Sequence, residues 1–322
     1  MSAVLVTGAR GYIGAQVVAA LAADPQEVST IVAADVRETP PDARVSGVDH
    51  VTADVRDRAA IAGLVADNGV DVVVHLAAIV TPGRGGDREL ERAVDVDGTR
   101  NVLDACIAAG VAKLIVTSSG AAYGYHADNP ASLDEDDPLR GNPEFAYADH
   151  KRQVEEMLAT ARRDHPELAQ LVFRPGTILG ATTNNQITDL FDKAVVLGLR
   201  GAASPWVFVW DVDVVACVLA GIHDDATGIY NLAGDGVVTQ REIARLLHKP
   251  YVAVPVPLVR AALGVLRRLR LTQYGPEQVD FLRYRPVLSN RRLKENFGYT
   301  PRRTSRKTFE AFLRDRHRGQ GR

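Results

Sequence analysis

The first fourteen residues constrain this chain more than any other segment. An apolar run, Ala3-Val4-Leu5-Val6, passes through Thr7 into Gly8-Ala9-Arg10-Gly11-Tyr12-Ile13-Gly14, and an alanine-rich periodic stretch continues to Ala23. That order reads as buried strand, glycine turn and helix. Gly8 allows the tight turn, Gly11 lets a pyrophosphate approach the backbone, and Gly14 lets the helix pack closely on the strand. Arg10, Tyr12 and Ile13 belong to the same turn and are candidate cofactor contacts. The next apolar run closes on Asp35, 21 residues beyond Gly14, the spacing expected of a carboxylate that accepts hydrogen bonds from adenosine ribose hydroxyls. A carboxylate there repels a 2′-phosphate and favours NAD over NADP, whereas Arg10 and Arg37 are each able to reach a 2′-phosphate. Asp35 also reads as a strand-end turn residue.

Apolar runs near residues 3 to 7, 31 to 35, 48 to 52, 72 to 76, 113 to 118 and 168 to 174 alternate with helical patterns. This alternation predicts an α/β fold, a doubly wound parallel sheet with helices on both faces. Beyond residue 176 the elements shorten, with no repeat, low-complexity tract or long linker. The expected division is a dinucleotide-binding domain over 1–175 and, over 176–322, a smaller and discontinuous substrate lobe that sends some strands back to the main sheet.

Tyr147 and Lys151 are one helical turn apart in Phe145-Ala146-Tyr147-Ala148-Asp149-His150-Lys151. On a helix both side chains project from one face. A nearby ammonium favours phenolate over phenol, so the Tyr147 pKa is expected to fall from about 10 toward the working pH, where the phenol serves as general acid or base. Tyr-x-x-x-Lys also occurs by chance on solvated helix faces. The run Lys113-Leu114-Ile115-Val116-Thr117-Ser118-Ser119-Gly120 is a strand ending in a small-residue turn. Ser119 reads either as part of an ordinary turn or as a hydroxyl placed where open parallel sheets bind ligands.

Taken together, these segments resemble the extended short-chain dehydrogenase/reductase superfamily, of the NAD-dependent epimerase/dehydratase type, whose core is a Rossmann fold. The matching pieces span most of the chain: the turn at Gly8, Gly11 and Gly14; Asp35; Asp54-Val55; His75-Leu76-Ala77-Ala78; Gly98-Thr99-Arg100-Asn101-Val102; Ser119 before Tyr123-Gly124; Tyr147 with Lys151; Arg174-Pro175-Gly176; Phe208-Val209-Trp210-Asp211; and Tyr230-Asn231-Leu232-Ala233-Gly234. The resemblance implies that Tyr147 is the general acid/base, that Ser119 holds the reacting oxygen, and that Lys151 binds the nicotinamide ribose and depresses the Tyr147 pKa. It also implies that Asp54 and Val55 flank the adenine, that Leu76, Ala77 and Ala78 lie against the dinucleotide, and that Pro175, Gly176 and Thr177 border the nicotinamide.

Departures from the pattern bear on the substrate. Asp95 stands where family members often carry Asn, and His150 where Ser is common; His150 is either an extra titratable group near the site or a helix-surface residue. Trp206 occupies the place of an Arg that nucleotide-sugar enzymes use on the substrate diphosphate. Thr177-Ile178-Leu179-Gly180 lacks their Asn and Pro, and no Asp-Glu pair follows Ser119, as it does in sugar dehydratases. The expected reaction is therefore net oxidation or reduction of a non-nucleotide or apolar alcohol or ketone, with nucleotide-sugar epimerisation as the alternative. A non-catalytic dinucleotide sensor is a further alternative; its signature would be loss of Tyr147 or Lys151, and both are present. The stretch Pro250 to Leu269 reads as a strand, a proline break and a basic amphipathic helix.

Charge gives no reason to expect nucleic acid as a partner: 38 basic and 40 acidic residues give a net charge of -2. The segment Arg283 to Arg322 holds 13 Lys/Arg against 3 Asp/Glu, a solvated tail or an attractor of anions to which Arg283, Arg285 and Arg292 contribute. The acidic loop Asp134-Glu135-Asp136-Asp137 reads as a solvated connection. Cys106 and Cys217 read as buried apolar residues, and a reducing, cytoplasmic setting is expected. The eight His residues show no metal-ligand spacing, so no metal is expected. The chain enters its first strand at Ala3 and the most apolar stretch is interrupted by Asp211 and Asp213, so neither a signal segment nor stable membrane anchoring is expected. The partners expected are a small-molecule substrate and a second copy of the chain, paired through helices near 88 to 109 and 145 to 163.

Overall fold

The computed structural model describes residues 2–80, 87–269 and 275–320. Its strands run β1 (Ser2–Thr7), β2 (Val28–Asp35), β3 (Asp49–Thr52), β4 (Val72–His75), β5 (Lys113–Thr117), β6 (Ala169–Pro175), β7 (Thr177–Leu179), β8 (Val196–Leu199), β9 (Pro205–Trp206), β10 (Phe208–Trp210) and β11 (Gly228–Leu232). Among the described residues, β1 to β6 and β11 form one parallel sheet in the order β11-β6-β5-β4-β1-β2-β3. The helices are α1 (Tyr12–Ala23), α2 (Arg58–Asp67), α3 (Arg88–Arg92), α4 (Gly98–Ala109), α5 (Ala146–Asp164), α6 (Gln186–Asp192) and α7 (Asp211–His223).

Successive side chains of a strand point to opposite faces, and here both faces are covered. Val4 and Val6 of β1 pack with Val17, Val18 and Leu21 of α1 and with Val214 and Val218 of α7. Leu5 belongs to the opposite layer, with Ile61, Val102, Val154 and Leu158 of α2, α4 and α5. This double burial explains why the strands read as unbroken apolar runs. The sheet is the doubly wound Rossmann-type fold expected from the alternation.

Local boundaries depart from the sequence reading in three places. The helix expected over 88 to 109 is interrupted at Ala93–Asp97 by a π turn. The Tyr147 helix starts at Ala146 rather than at Asn142-Pro143-Glu144, with Phe145 at its N-cap. Asn142 is engaged elsewhere: its Oδ1 accepts the Tyr125 N–H at 2.7 Å. The acidic loop is not uniformly solvated either, since Glu135 is buried and accepts the Asn231 N–H at 2.7 Å.

After β6 a third core gathers Leu179, Phe191, Trp206, Phe208, Phe309 and Phe312. Small sheets brace it: β7 pairs with β10, β9 with β12 (Val238–Thr239), and β8 with β13 (Tyr251–Val254). The remaining helices are α8 (Gln240–Leu246), α9 (Val256–Arg268), α10 (Gln278–Arg283), α11 (Arg291–Glu295) and α12 (Ser305–Gln320). No residue of α9 is buried, and its Arg260 and Arg267 pair with Asp280 and Glu277. Among the described residues no helix is long and apolar enough to cross a membrane. Of the basic C-terminal segment, side chains beyond Arg316 lie outside the described residues.

One buried ion pair ties these parts together. Arg174 of β6 donates to Glu155 of α5 through Nε at 2.8 Å and Nη2 at 2.5 Å, with both side chains almost fully buried. Ser118 Oγ donates to the same carboxylate at 2.6 Å, and Arg174 Nη1 donates to the Tyr123 hydroxyl at 2.8 Å and to the Glu135 carbonyl at 3.0 Å. The guanidinium pKa is raised: burial opposes the charge, but the Glu155 carboxylate outweighs it. Removing one partner of such a pair leaves a buried charge uncompensated. Glu155→Gln is expected to cost about 3–5 kcal/mol of stability, measured by urea unfolding.

Candidate active site

In open α/β sheets, ligands sit beyond the carboxyl ends of the strands where the strand order reverses. Here that point lies between β1 and β4. Gly8 follows β1 with φ +68°, and a Cβ on it would stand 2.6 Å from the Ala77 nitrogen. A Cβ on Gly14 would stand 2.1 Å from the Gly8 oxygen, so helix and turn meet at a distance that only glycine permits. Gly11 meets only the Gly8 oxygen, at 3.0 Å, and is the N-cap of α1 without a side-chain hydrogen bond. The first-turn N–H groups of Tyr12, Ile13 and Gly14 therefore present a bare helix terminus. Thr7 and Thr99 flank His75 at 2.7 and 2.9 Å. Burial, with the Lys151 charge adding to it, pushes the His75 pKa down to about 3, so the ring is a neutral strut.

Asp35 ends β2 beside this turn. Its carboxylate accepts the Arg10 N–H at 3.0 Å and the Arg37 N–H and Nε at 3.0 Å each. Burial opposes its ionisation, but the Arg37 guanidinium and these N–H groups hold its pKa below the usual value. Arg10 Nη1 donates to the Glu38 carbonyl at 2.7 Å, so both arginines that compete in the cofactor argument already have partners. Asp54 is held by Arg56, Val55 is buried, and Ala77 and Ala78 are half-buried. The Tyr12 phenol donates to Asp211 at 2.6 Å, while Ile13 packs on the core, which leaves the backbone of this pair facing the turn. Pro175 ends β6, Gly176 donates to the Leu232 carbonyl at 2.9 Å, and Thr177 to the Val207 carbonyl at 3.0 Å.

Ser119, Tyr147 and Lys151 converge at the end of β5. The Ser119 hydroxyl accepts the Ala121 N–H at 3.1 Å and stands beside the Tyr147 phenol, favouring its ionised form. Lys151 Nζ lies 5.7 Å from the Tyr147 ring centre and donates to the Thr117 carbonyl at 3.1 Å. The expected depression of the Tyr147 pKa by Lys151 is not found. Burial pushes the phenol up to about 12, with Ser119 pulling it down and Asp95 adding to the rise. Dehydration outweighs a cation turned toward a backbone carbonyl. His150 is likewise not on the helix surface: it is buried against Asp95 at 3.5 Å.

Arg285 is a site residue that the sequence marked only as one of several arginines. Its guanidinium stacks 3.5 Å from the Trp206 ring centre and 4.7 Å from that of Phe281, and Nη2 donates to Thr177 Oγ1 at 3.4 Å. Nη1 is buried with no hydrogen-bond partner. Burial lowers its pKa to about 10. Trp206 lies beneath it, fully buried with Nε1 donating to Gln240. Arg283 instead covers the Tyr284 ring, and Arg292 pairs with Glu135 and Asp136. Tyr125, Phe145 and Phe281 form a ring cluster with centre distances of 4.8 to 6.0 Å that packs with Tyr147.

A glycine turn at the switch point of a doubly wound sheet, with a Ser-Tyr-Lys set one strand away, defines an enzyme of the extended short-chain dehydrogenase/reductase type. Residues 4–233 match the model of the NAD dependent epimerase/dehydratase family. An uncharacterized protein of Mycobacterium tuberculosis (strain ATCC 25618 / H37Rv) is 25% identical over 318 residues, covering 97% of this chain and 84% of its own. A 3-diazoavenalumate denitrifying reductase of a Streptomyces species is 31% identical over 240 residues, covering 72% of this chain and 76% of its own. The UDP-glucose 4-epimerase of Thermus thermophilus, solved in complex with NAD, superimposes with a TM-score of 0.75 at 23% identity, over 98% of this chain and 99% of that one. The chain belongs to the NAD dependent epimerase/dehydratase family.

Proposed function

We propose that this protein binds NAD at the Gly8–Gly14 turn and moves a hydride between the nicotinamide and a carbinol or carbonyl carbon of a small molecule, with Tyr147 carrying the proton. The observation that carries this reading is the convergence of Ser119, Tyr147 and Lys151, with Lys151 Nζ 5.7 Å from the Tyr147 ring centre, one strand from the switch point. The bare α1 terminus suits a pyrophosphate, the Asp35 carboxylate an adenosine ribose, and the small side chains of Ala77 and Ala78 the close approach of a dinucleotide. Asp54 and Val55 border the adenine end, and Pro175, Gly176 and Thr177 the nicotinamide end. The dinucleotide supplies the hydride chemistry; Ser119 orients the substrate oxygen, Tyr147 holds or releases its proton, and Lys151 anchors the ribose. In this division residues 1–175 serve the cofactor and 176–322 mostly the substrate, and the chain pairs as a homodimer through residues 88 to 109 and 145 to 163.

Net oxidation or reduction is favoured over epimerisation. Trp206 is a floor under Arg285 rather than a diphosphate ligand, and the 31% identical relative is a reductase. The expectation of a non-nucleotide or apolar substrate is made more specific: the ring cluster suits an apolar or aromatic body, while a guanidinium whose Nη1 lacks a hydrogen-bond partner suits one anionic group.

Tyr147→Phe is expected to lower kcat at least about 100-fold with any active alcohol, judged from the contribution of a positioned general acid or base. Unchanged turnover would refute the catalytic role, and product without net NADH would point to an epimerase. Replacing Asp35 by Ser removes the ribose acceptor and releases Arg37. Calorimetry is expected to show the NADP-to-NAD affinity ratio rising by about tenfold or more, equivalent to about 1.4 kcal/mol. Arg285→Leu is expected to raise KM for an anionic substrate by about tenfold or more while leaving NAD affinity unchanged; equal KM values would remove the anion from the substrate description.

A further inference from the structure

Behind Tyr147 lies a second polar pair that the proposed chemistry does not use. Asp95 and His150 are 1% and 2% exposed. The π turn Ala93–Asp97 carries Asp95 into the interior, where Oδ1 accepts the Ile79 N–H at 2.8 Å. Oδ2 has no hydrogen-bond partner, nor does His150 Nδ1, and the two atoms face each other at 3.5 Å. Two complementary buried atoms, each otherwise unpartnered, form a contact that a modest shift closes. Around the pair stand His75 on β4, Glu91 with Arg88 on α3, and Tyr147, Lys151 and Glu155 on α5.

The placement has an electrostatic consequence. A carboxylate behind a phenol opposes the phenolate that must form when an alcohol gives up its proton, and it favours the ammonium of Lys151. A hydrogen bond donated by the imidazole Nδ1–H to Oδ2, 3.5 Å away, draws part of the negative charge of that carboxylate away from the phenol. We propose that Asp95 and His150 form a charge-balancing positioning pair, in which His150 screens the Asp95 carboxylate from Tyr147 and thereby sets the pH range over which Tyr147 accepts and returns the substrate proton. This role rests on the one proposed for Tyr147.

Asp95→Asn keeps the acceptor for the Ile79 N–H and removes the charge. Tyr147 is then expected to titrate at lower pH, moving the acid limb of kcat/KM for alcohol oxidation down by roughly one pH unit. His150→Gln leaves the carboxylate unscreened, and the limb is expected to move up by a similar amount. The double variant is expected to behave like Asp95→Asn alone, because His150 then has nothing to screen. A readout that needs no substrate is the tyrosinate absorbance of the NAD+ complex titrated with alkali, taken as the difference from Tyr147→Phe. A merely structural pair would alter stability or rate without moving these midpoints in opposite directions. Unmoved midpoints, or shifts of the same sign, overturn the proposal. If His150→Gln does not fold, Asp95→Asn decides alone: the absence of a downward shift is refutation. If Tyr147→Phe keeps full turnover, the failure lies with the role of Tyr147 instead.

Discussion

The Glu155–Arg174 ion pair is the interaction on which the rest of the site depends. Glu155 lies one turn beyond Lys151 on α5, and Arg174 lies near the end of β6, so the pair locks the helix bearing Tyr147 to the strand that leads to Gly176 and Thr177. Its outer bonds recruit Ser118 just after β5, Tyr123 after Ser119, and the Glu135 backbone. The segments that carry Ser118, Tyr123 and Glu135 are thereby tied to one buried ion pair. A charge pair removed from water tolerates little displacement, because each ångström of separation exposes an uncompensated desolvation cost. That stiffness suits the role proposed for the site, which requires an oxygen and a carbon held in fixed relation.

The same low-dielectric surroundings explain how titratable groups behave here. The interior that anchors Arg174 also drives the Tyr147 phenol up and the His75 imidazole down. A helix drawn from sequence shows Tyr147 and Lys151 on one face. It does not show that the ammonium turns to the Thr117 carbonyl, nor that Asp95 arrives from another element to act on both. Proximity was legible; the balance between proximity and dehydration was not.

Other parts of the site divide along the same line. The strand–glycine–helix turn was readable because its requirements are local: a positive φ at Gly8 and a close approach at Gly14 are imposed within a dozen residues. The burial of His150 and Glu135 was not, since short-range pattern cannot reveal which long-range partner waits for a polar side chain. Arg285 is the clearest case. In sequence it is one of many arginines in a basic tail, and only folding sets it over Trp206, 79 positions earlier, with one nitrogen unsatisfied.

By itself the sequence determined the parallel sheet, its double cover of helices and the family, because alternating apolar runs and glycine spacing are local and periodic. Tertiary structure decided the electrostatics of the site and the placing of Arg285 over Trp206. Both depend on how much water is excluded and on which distant charges remain unpaired, and those quantities exist only once the chain has closed on itself.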